Sequence, residues 1–292
     1  MPDVADRAYR QYDPDVLRRL QAAELEVLKA FDGICRELGL RYFVHYGALI
    51  GALRHGGPIP WDDDIDVAMP RKDFSAFVAY CDEHPEMAWG YMDPAHHPDC
   101  ANTVPIFYRK GTIFAEDDIG WQPGISIDIF PFDHVPDDER EREREIRRAD
   151  VLRRLLYLCY RDPRIPLEGW RYHAAKALCR AARGGIALLR VRGADVFRYF
   201  ESKNRQADQR NACSAQMTTF FDIDPRKNLL SPDQFEGPDL PFAGTTIRGP
   251  KDPDRLLRPV YGDYMRIPPE EERVNHCPAH LDFGDGLGDV LR

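Results

Sequence analysis

The stretch Ile59-Pro-Trp-Asp-Asp-Asp-Ile-Asp-Val-Ala-Met69 places four aspartates, Asp62, Asp63, Asp64 and Asp66, within five positions of an otherwise apolar, β-prone run. With Ile65 and Val67 turned to a core, strand alternation sends Asp64 and Asp66 out on the opposite face, their Cβ atoms roughly 6–7 Å apart. Two unpaired carboxylates so placed repel. At an effective dielectric near 20, two charges about 4 Å apart cost on the order of 4 kcal/mol, so a fold holds them together with a cation or a proton between them. A hard divalent cation suits the position, because Mg²⁺ takes one or two carboxylates together with substrate phosphates.

Upstream, Arg41 to His45 is a short β-prone run that leads into Gly47-Ala-Leu-Ile-Gly51. The two glycines permit a tight turn or a close backbone approach, and a strand entering a glycine turn and a helix start suits phosphate binding. Downstream, Ile125-Ser-Ile-Asp-Ile-Phe130 alternates in the strand manner and carries one acid, Asp128, with Pro131 expected to close it. Aspartate is depleted in strand interiors, so acids flanked by Ile and Val on two strands mark a site rather than a solvated edge. Gly47 for phosphate, Asp64 and Asp66 for metal, and Asp128 as a third acid form the main constellation. Arg54 and His55, between the glycines and the acids, are candidates for phosphate oxygens, since Arg makes bidentate phosphate contacts. Asp62 and Asp63 read equally as residues that cap a turn or orient Arg54 and as residues with a direct, accessory role in the site. His276, in a proline-flanked tail, reads first as structural and second as an accessory to the site. Trp61 reads as packing ahead of base stacking, and Tyr261, Asp263 and Tyr264 as packing or turn residues.

The remaining pattern sets the frame. Val16, Leu17, Leu20, Leu25, Val27, Leu28, Phe31, Ile34 and Leu38 recur at helical spacing from Pro14 to Leu38, and Gly39 can end that helix. A second amphipathic helix is expected over Lys72–His84. Val104–Tyr108 and Thr112–Ala115 suggest a hairpin about Lys110-Gly111. From Asp137 to about Ala215 the pattern is helical, with a Glu/Arg run that reads as a solvated face. Beyond Met217 prolines are frequent and strands short. This divides the chain into 1–136, a helical region 137–215, and 216–292 packing back on the first part.

Composition narrows the function further. The 292 residues are 43% hydrophobic and carry a formal charge of −9, so a real core is available and a general nucleic-acid binder is disfavoured. Seven cysteines without a CxxC pair suit reduced thiols in the cytoplasm. The first residues lack a signal-peptide pattern and no apolar run reaches 18, so membrane contact is expected to be peripheral at most. No GxSxG, Walker A, GxGxxG or HExxH is present, which removes the sequence support for triad hydrolases, P-loop enzymes, dinucleotide folds and zincins. Acids at i and i+2 suit metal binding better than the two carboxylates of a glycosidase.

Taken together, Tyr46-Gly-Ala-Leu-Ile-Gly-Ala-Leu-Arg-His55, Ile59-Pro-Trp-Asp-Asp-Asp-Ile-Asp66, Met69-Pro-Arg71, Ile127-Asp-Ile-Phe-Pro-Phe-Asp133, Phe235-Glu-Gly237 and Tyr261-Gly-Asp-Tyr-Met265 resemble the LicD family in type and order. The resemblance implies an α/β fold: a nucleotidyltransferase-like mixed sheet with an added mainly helical region. It also implies metal on Asp64, Asp66 and Asp128, and Gly47 at the family's glycine-threonine turn. Ala48 stands where the family usually has threonine or serine. The missing hydroxyl shifts phosphate binding at Gly47 and Ala48 toward backbone N–H groups, Arg54 and metal.

The expected activity is a Mg²⁺- or Mn²⁺-dependent transfer of a phospho-alcohol, with phosphocholine as the leading case, from a CDP-alcohol donor to a hydroxyl of a cell-surface glycan or glycolipid, releasing CMP. Asp128 or Asp62 is the candidate base. Two alternatives share the sequence: a nucleotidyltransferase that releases pyrophosphate, and a non-catalytic nucleotide- or glycan-binding protein.

Overall fold

The computed structural model describes residues 12–115, 120–161 and 169–291. Helix α1 (Pro14–Glu37) opens on Asp13, whose carboxylate accepts the N–H groups of Asp15 and Val16 at 2.8 and 3.4 Å. It ends at Gly39, whose φ of 65° closes the last turn without a Cβ clash. The chain then runs through strand β1 (Phe43–His45), helix α2 (Tyr46–His55), strand β2 (Asp66–Pro70), helix α3 (Arg71–Glu83), and strands β3 (Trp89–Met92), β4 (Ile106–Arg109), β5 (Ile113–Ala115) and β6 (Ser126–His134). Three helices follow: α4 (Glu139–Tyr160), α5 (Gly169–Leu188) and α6 (Gly193–Arg210). The last third supplies β7 (Met217–Thr218), β8 (Asp239–Phe242), β9 (Thr245–Arg248), α7 (Pro253–Tyr261) and β10 (His280–Asp282).

The main sheet has the order β1-β2-β6-β4-β3, with β7 added to the far half of β6. Strands β2 and β6 are parallel and the other pairs antiparallel, so the fold is mixed α/β. Helix α1 packs on β4 and β6, and α3 on β2, β3 and β6. Phe31 from α1 meets Tyr42 and Phe77 at ring distances of 4.9 Å, and Phe77 meets Phe107 of β4 at 5.3 Å. Arg71, at the start of α3, lies 4% exposed between two carboxylates. It forks onto Asp133 of β6 at 2.6 and 2.8 Å and reaches Glu201 of α6 at 2.7 Å, which ties the helical region to the sheet.

Several local expectations change. The Gly47–Gly51 stretch is a helix rather than a turn, beginning at Tyr46 with φ of 43° directly after β1. Arg54 and His55 are the last residues of that helix, and Gly56 at φ 66° closes it. Strand β2 starts only at Asp66, so Asp62, Asp63 and Asp64 lie in the loop before it and Asp64 is not a strand neighbour of Asp66. The expected hairpin is absent, because β4 pairs with β3 and β6 whereas β5 pairs with β10. Pro131 lies inside β6 rather than ending it. On that edge β4 covers Ser126–Asp128 and β7 covers Asp133–His134, so the proline falls between the two partner strands, where no ladder donor is needed.

Candidate active site

Glycines 47 and 51 stand four apart on α2 and therefore share one face. A Cβ on Gly47 would lie 2.5 Å from Oδ2 of Asp62, and one on Gly51 would lie 2.5 Å from the carbonyl oxygen of Gly57. Their value is close approach: α2 lies directly against the segment that carries the acids. From α1, the Gln21 amide donates to the carbonyls of Ile59 and Asp62 at 2.9 and 2.8 Å. The Asp62 N–H donates to the Ile59 carbonyl at 3.0 Å, so the acidic loop is pinned at both ends. Asp63 is 1% exposed and accepts the Tyr12 hydroxyl at 2.7 Å and the His276 backbone N–H at 2.8 and 3.0 Å. It anchors the two ends of the chain to the site.

Asp66 and Asp128 face each other in register across the parallel pair β2 and β6. Burial raises the Asp66 carboxyl well above the usual range, and Asp64, Asp128, Asp62 and Asp222 push it further. Asp62 is pushed up to about 8 by burial, then by Asp64 and Asp63. Asp64 is also raised, by burial against the opposing charge of His276, although its side chain keeps 40% exposure to the solvent side. Glu24 joins the set from α1. It is 3% exposed, and burial followed by Asp63, Asp64, Asp62 and Asp128 drives its carboxyl far upward. The imidazole of His276 answers this field: its Nδ1 lies 3.4 Å from Asp64 and 3.5 Å from Asp63. Hydrogen bonding to Asp63 is the largest cause that raises it, to about 9.

Among the described residues no three His, Cys, Asp or Glu side chains stand in a ready-made coordination group. Asp64 instead turns to His276. The donor set nevertheless fits a hard divalent ion, because it is made of carboxylate oxygens that are buried and mutually repelling, and an ion among them relieves what protons and His276 relieve here.

A cavity of about 290 Å³ opens on this set, lined by Asp64, Asp128, Glu24 and His276 and, opposite in charge, by Arg161 at the end of α4. A smaller one of about 190 Å³ shares Asp128 and Arg161 with it and adds Tyr157 and Tyr160. Arg54 and His55 line neither. Arg54 donates to the carbonyls of Tyr264 and Arg266 at 2.7 and 3.0 Å and to His55 at 3.0 Å. Both belong to a cluster around Trp61, over which Arg273 stacks at 4.4 Å. Trp61 is therefore a packing residue here. Ala48 is 3% exposed in the hydrophobic core, so its side chain does not reach the cavity and only its backbone N–H in the first turn of α2 is free for a ligand role.

Residues 39–149 match the sequence model of the LicD/FKTN/FKRP nucleotidyltransferase domain. This part of the chain is a LicD domain. Over 271 residues, 89% of this chain and 95% of the relative, it is 26% identical to the lipopolysaccharide cholinephosphotransferase LicD of Haemophilus influenzae. It is also 38% identical over 60 residues, 20% of this chain, to the ribitol 5-phosphate transferases FKRP of mouse and human, of which that segment is 11%.

The matched LicD domain contains Gly47, Asp62, Asp64, Asp66 and Asp128, while Glu24, Arg161, Asp222 and His276 reach the same place from outside it. Asp222 accepts the Tyr46 hydroxyl at 2.6 Å and is held by the Asn228 amide. Sequence reasoning missed Glu24, Arg161 and Asp222. Glu24 carried a usable signal, being a carboxylate within the apolar stripe Leu17, Leu20, Val27, Leu28 and Phe31 of α1. Asp222 follows the apolar pair Phe220-Phe221, which is a weak cue, and Arg161 has none. Tyr261, read as a packing or turn residue, ends α7 within the field of Asp66, Asp62 and Asp64.

Proposed function

We propose that this chain transfers a phospho-alcohol, phosphocholine as the leading case, from a CDP-linked donor to a hydroxyl of a cell-surface glycan or glycolipid. The observation that carries the reading is a cavity lined by Asp64 and Asp128 together with Arg161, with Asp66 and Asp62 in the same cluster of mutually repelling carboxylates behind it. The cholinephosphotransferase and ribitol-phosphate transferase names of its relatives support the same class.

A Mg²⁺ or Mn²⁺ ion held by Asp64, Asp66 and Asp128 would supply charge neutralisation for the diphosphate and the departing CMP. The chain's own groups do the rest. The N–H groups of the first turn of α2, beside Gly47, offer donors to phosphate oxygens. Arg161 adds positive charge where Asp128 and Asp64 add negative. Asp128 or Asp62 accepts the proton of the acceptor hydroxyl as its oxygen attacks the phosphorus that bears the alcohol. The bond from that phosphorus to the bridging oxygen breaks, and CMP leaves with the electron pair. The proposal places the protein in the cytoplasm, in keeping with seven free thiols. Among the described residues no helix is long and apolar enough to cross a membrane.

The test is CMP release from CDP-choline, CDP-ribitol and CDP-glycerol with Mg²⁺ or with EDTA, with and without glycan acceptors. Metal-dependent CMP formation that Asp64→Asn abolishes is expected. Pyrophosphate formed from CTP, with no CMP from any donor, would replace this reading by a nucleotidyltransferase.

A further inference from the structure

Helix α5 has no buried residue. Trp170, Leu178 and Leu188 are 76, 72 and 83% exposed, and Leu189 just beyond is 75% exposed. Trp170, Ala174, Ala177, Leu178, Ala181 and Leu188 follow one another at intervals that fall on one helical face, and all six are exposed. The half-buried residues Ala175, Cys179 and Ile186 lie on the other side, where α5 leans on α4. The outward face is thus an apolar stripe with nothing packed on it among the described residues.

Its charge is as one-sided as its hydrophobicity. From Gly169 to Arg190 there are five cations, Arg171, Lys176, Arg180, Arg183 and Arg190, and no acid, in a chain whose formal charge is −9. Arg171 and Arg180 flank the stripe, both exposed. An amphipathic helix with Trp and Leu on one face, basic residues beside them and no acid has the composition of a segment that lies in a bilayer interface. Cations held near an anionic surface add to the attraction. A second copy of this acidic chain would meet the apolar stripe, but two such helices face to face would bring their cations together.

We infer that α5 is a docking surface for anionic lipid bilayers, holding the protein flat on a membrane. This goes beyond the transfer reaction and does not depend on it.

The test is flotation of the full-length protein with vesicles of phosphatidylcholine alone or mixed equally with phosphatidylglycerol. Binding at least tenfold tighter to the anionic vesicles is expected, falling as salt is raised from 0.05 to 0.5 M, roughly a Debye length of 14 Å down to 4 Å. Leu178→Glu with Leu188→Glu, both at exposed positions, should reduce it tenfold or more with an unchanged melting temperature. Trp170→Phe should remove a blue shift of tryptophan emission on binding. Equal binding to both vesicle types, or anionic binding that survives the double substitution, would overturn the inference. So would a concentration-dependent dimer, seen by sedimentation, that the double substitution dissolves.

Discussion

Asp66 and Asp128 occupy opposed register positions on neighbouring parallel strands, so the backbone ladder itself holds two carboxylates side by side. Such a pair opposes folding unless something positive shares it, and Asp66 is only 9% exposed. Function and stability should therefore pull apart here. Asp66→Asn keeps the shape and removes the charge. It is expected to lower metal-dependent turnover by more than about 100-fold, beyond the 10–100-fold typical of outer-shell changes. In EDTA it should raise stability, because the amide removes the burial cost and the repulsion from Asp64 and Asp128 that push this carboxyl upward. Calorimetric melting with and without metal checks both. A variant that melts lower in EDTA would show that Asp66 is held by attraction instead.

The two glycines of α2 should respond differently to alanine. In a free helix either change would favour folding by about 1 kcal/mol. At Gly51 the new methyl meets backbone, the Gly57 carbonyl at 2.5 Å and the Ile59 nitrogen at 3.2 Å, which cannot swing away. Gly51→Ala is expected to destabilise by about 1–3 kcal/mol, as overpacking does. At Gly47 the methyl meets the end of the Asp62 side chain, which can rotate. Gly47→Ala should leave the urea midpoint nearly unchanged and reduce turnover by displacing Asp62. Equal stability losses at the two sites would contradict this division.

How far the sequence could be read follows from how local each cause is. The stripe of α1 and the alternation around Asp128 are set by neighbours within a few residues, and they formed where the pattern placed them. Asp64 was misplaced because the start of β2 is decided from α1, through Gln21, about forty positions back. Thr112–Ala115 looked like half a hairpin, yet its partner is β10, near the far end of the chain. Arg54 was legible as a cation but not as one committed to carbonyls 210 and 212 positions away. Acids mark a site by their type. Which of them converge, as Glu24 does with Asp64 and Asp222 does with Asp66, is a property of the packing.

Arg71 tests what joins the helical region to the sheet. Its guanidinium is buried with Asp133 and Glu201, and their charges hold it protonated against burial. Breaking a buried pair by removing one partner typically costs about 3–5 kcal/mol, because the remaining charges stay behind. Arg71→Met should destabilise by that amount in urea unfolding. Adding Asp133→Leu and Glu201→Leu should recover most of the loss, since an apolar replacement of the whole group is often neutral. If the triple variant is as unstable as the single one, the group acts through geometry that leucine cannot supply.

His45 supplies a pH dependence with a definite sign. It is 1% exposed and its ring stands among Phe43, Tyr46 and Phe132. Burial lowers its pKa from 6.5 to about 4. Between those values the unfolded chain binds the proton and the folded one does not, so stability is full above pH 6.5 and falls as the pH drops toward 4. A shift of that size amounts to about 3 kcal/mol. The raised carboxyls of the acidic set act in the opposite direction, so the comparison must be with a variant that lacks only this proton. His45→Phe keeps a ring among its aromatic neighbours. The stability of the wild type relative to His45→Phe, measured by urea unfolding, is expected to fall by about 3 kcal/mol from pH 7 to pH 4. A difference that stays flat over that range would mean that His45 takes up its proton as readily in the folded protein as in the unfolded chain.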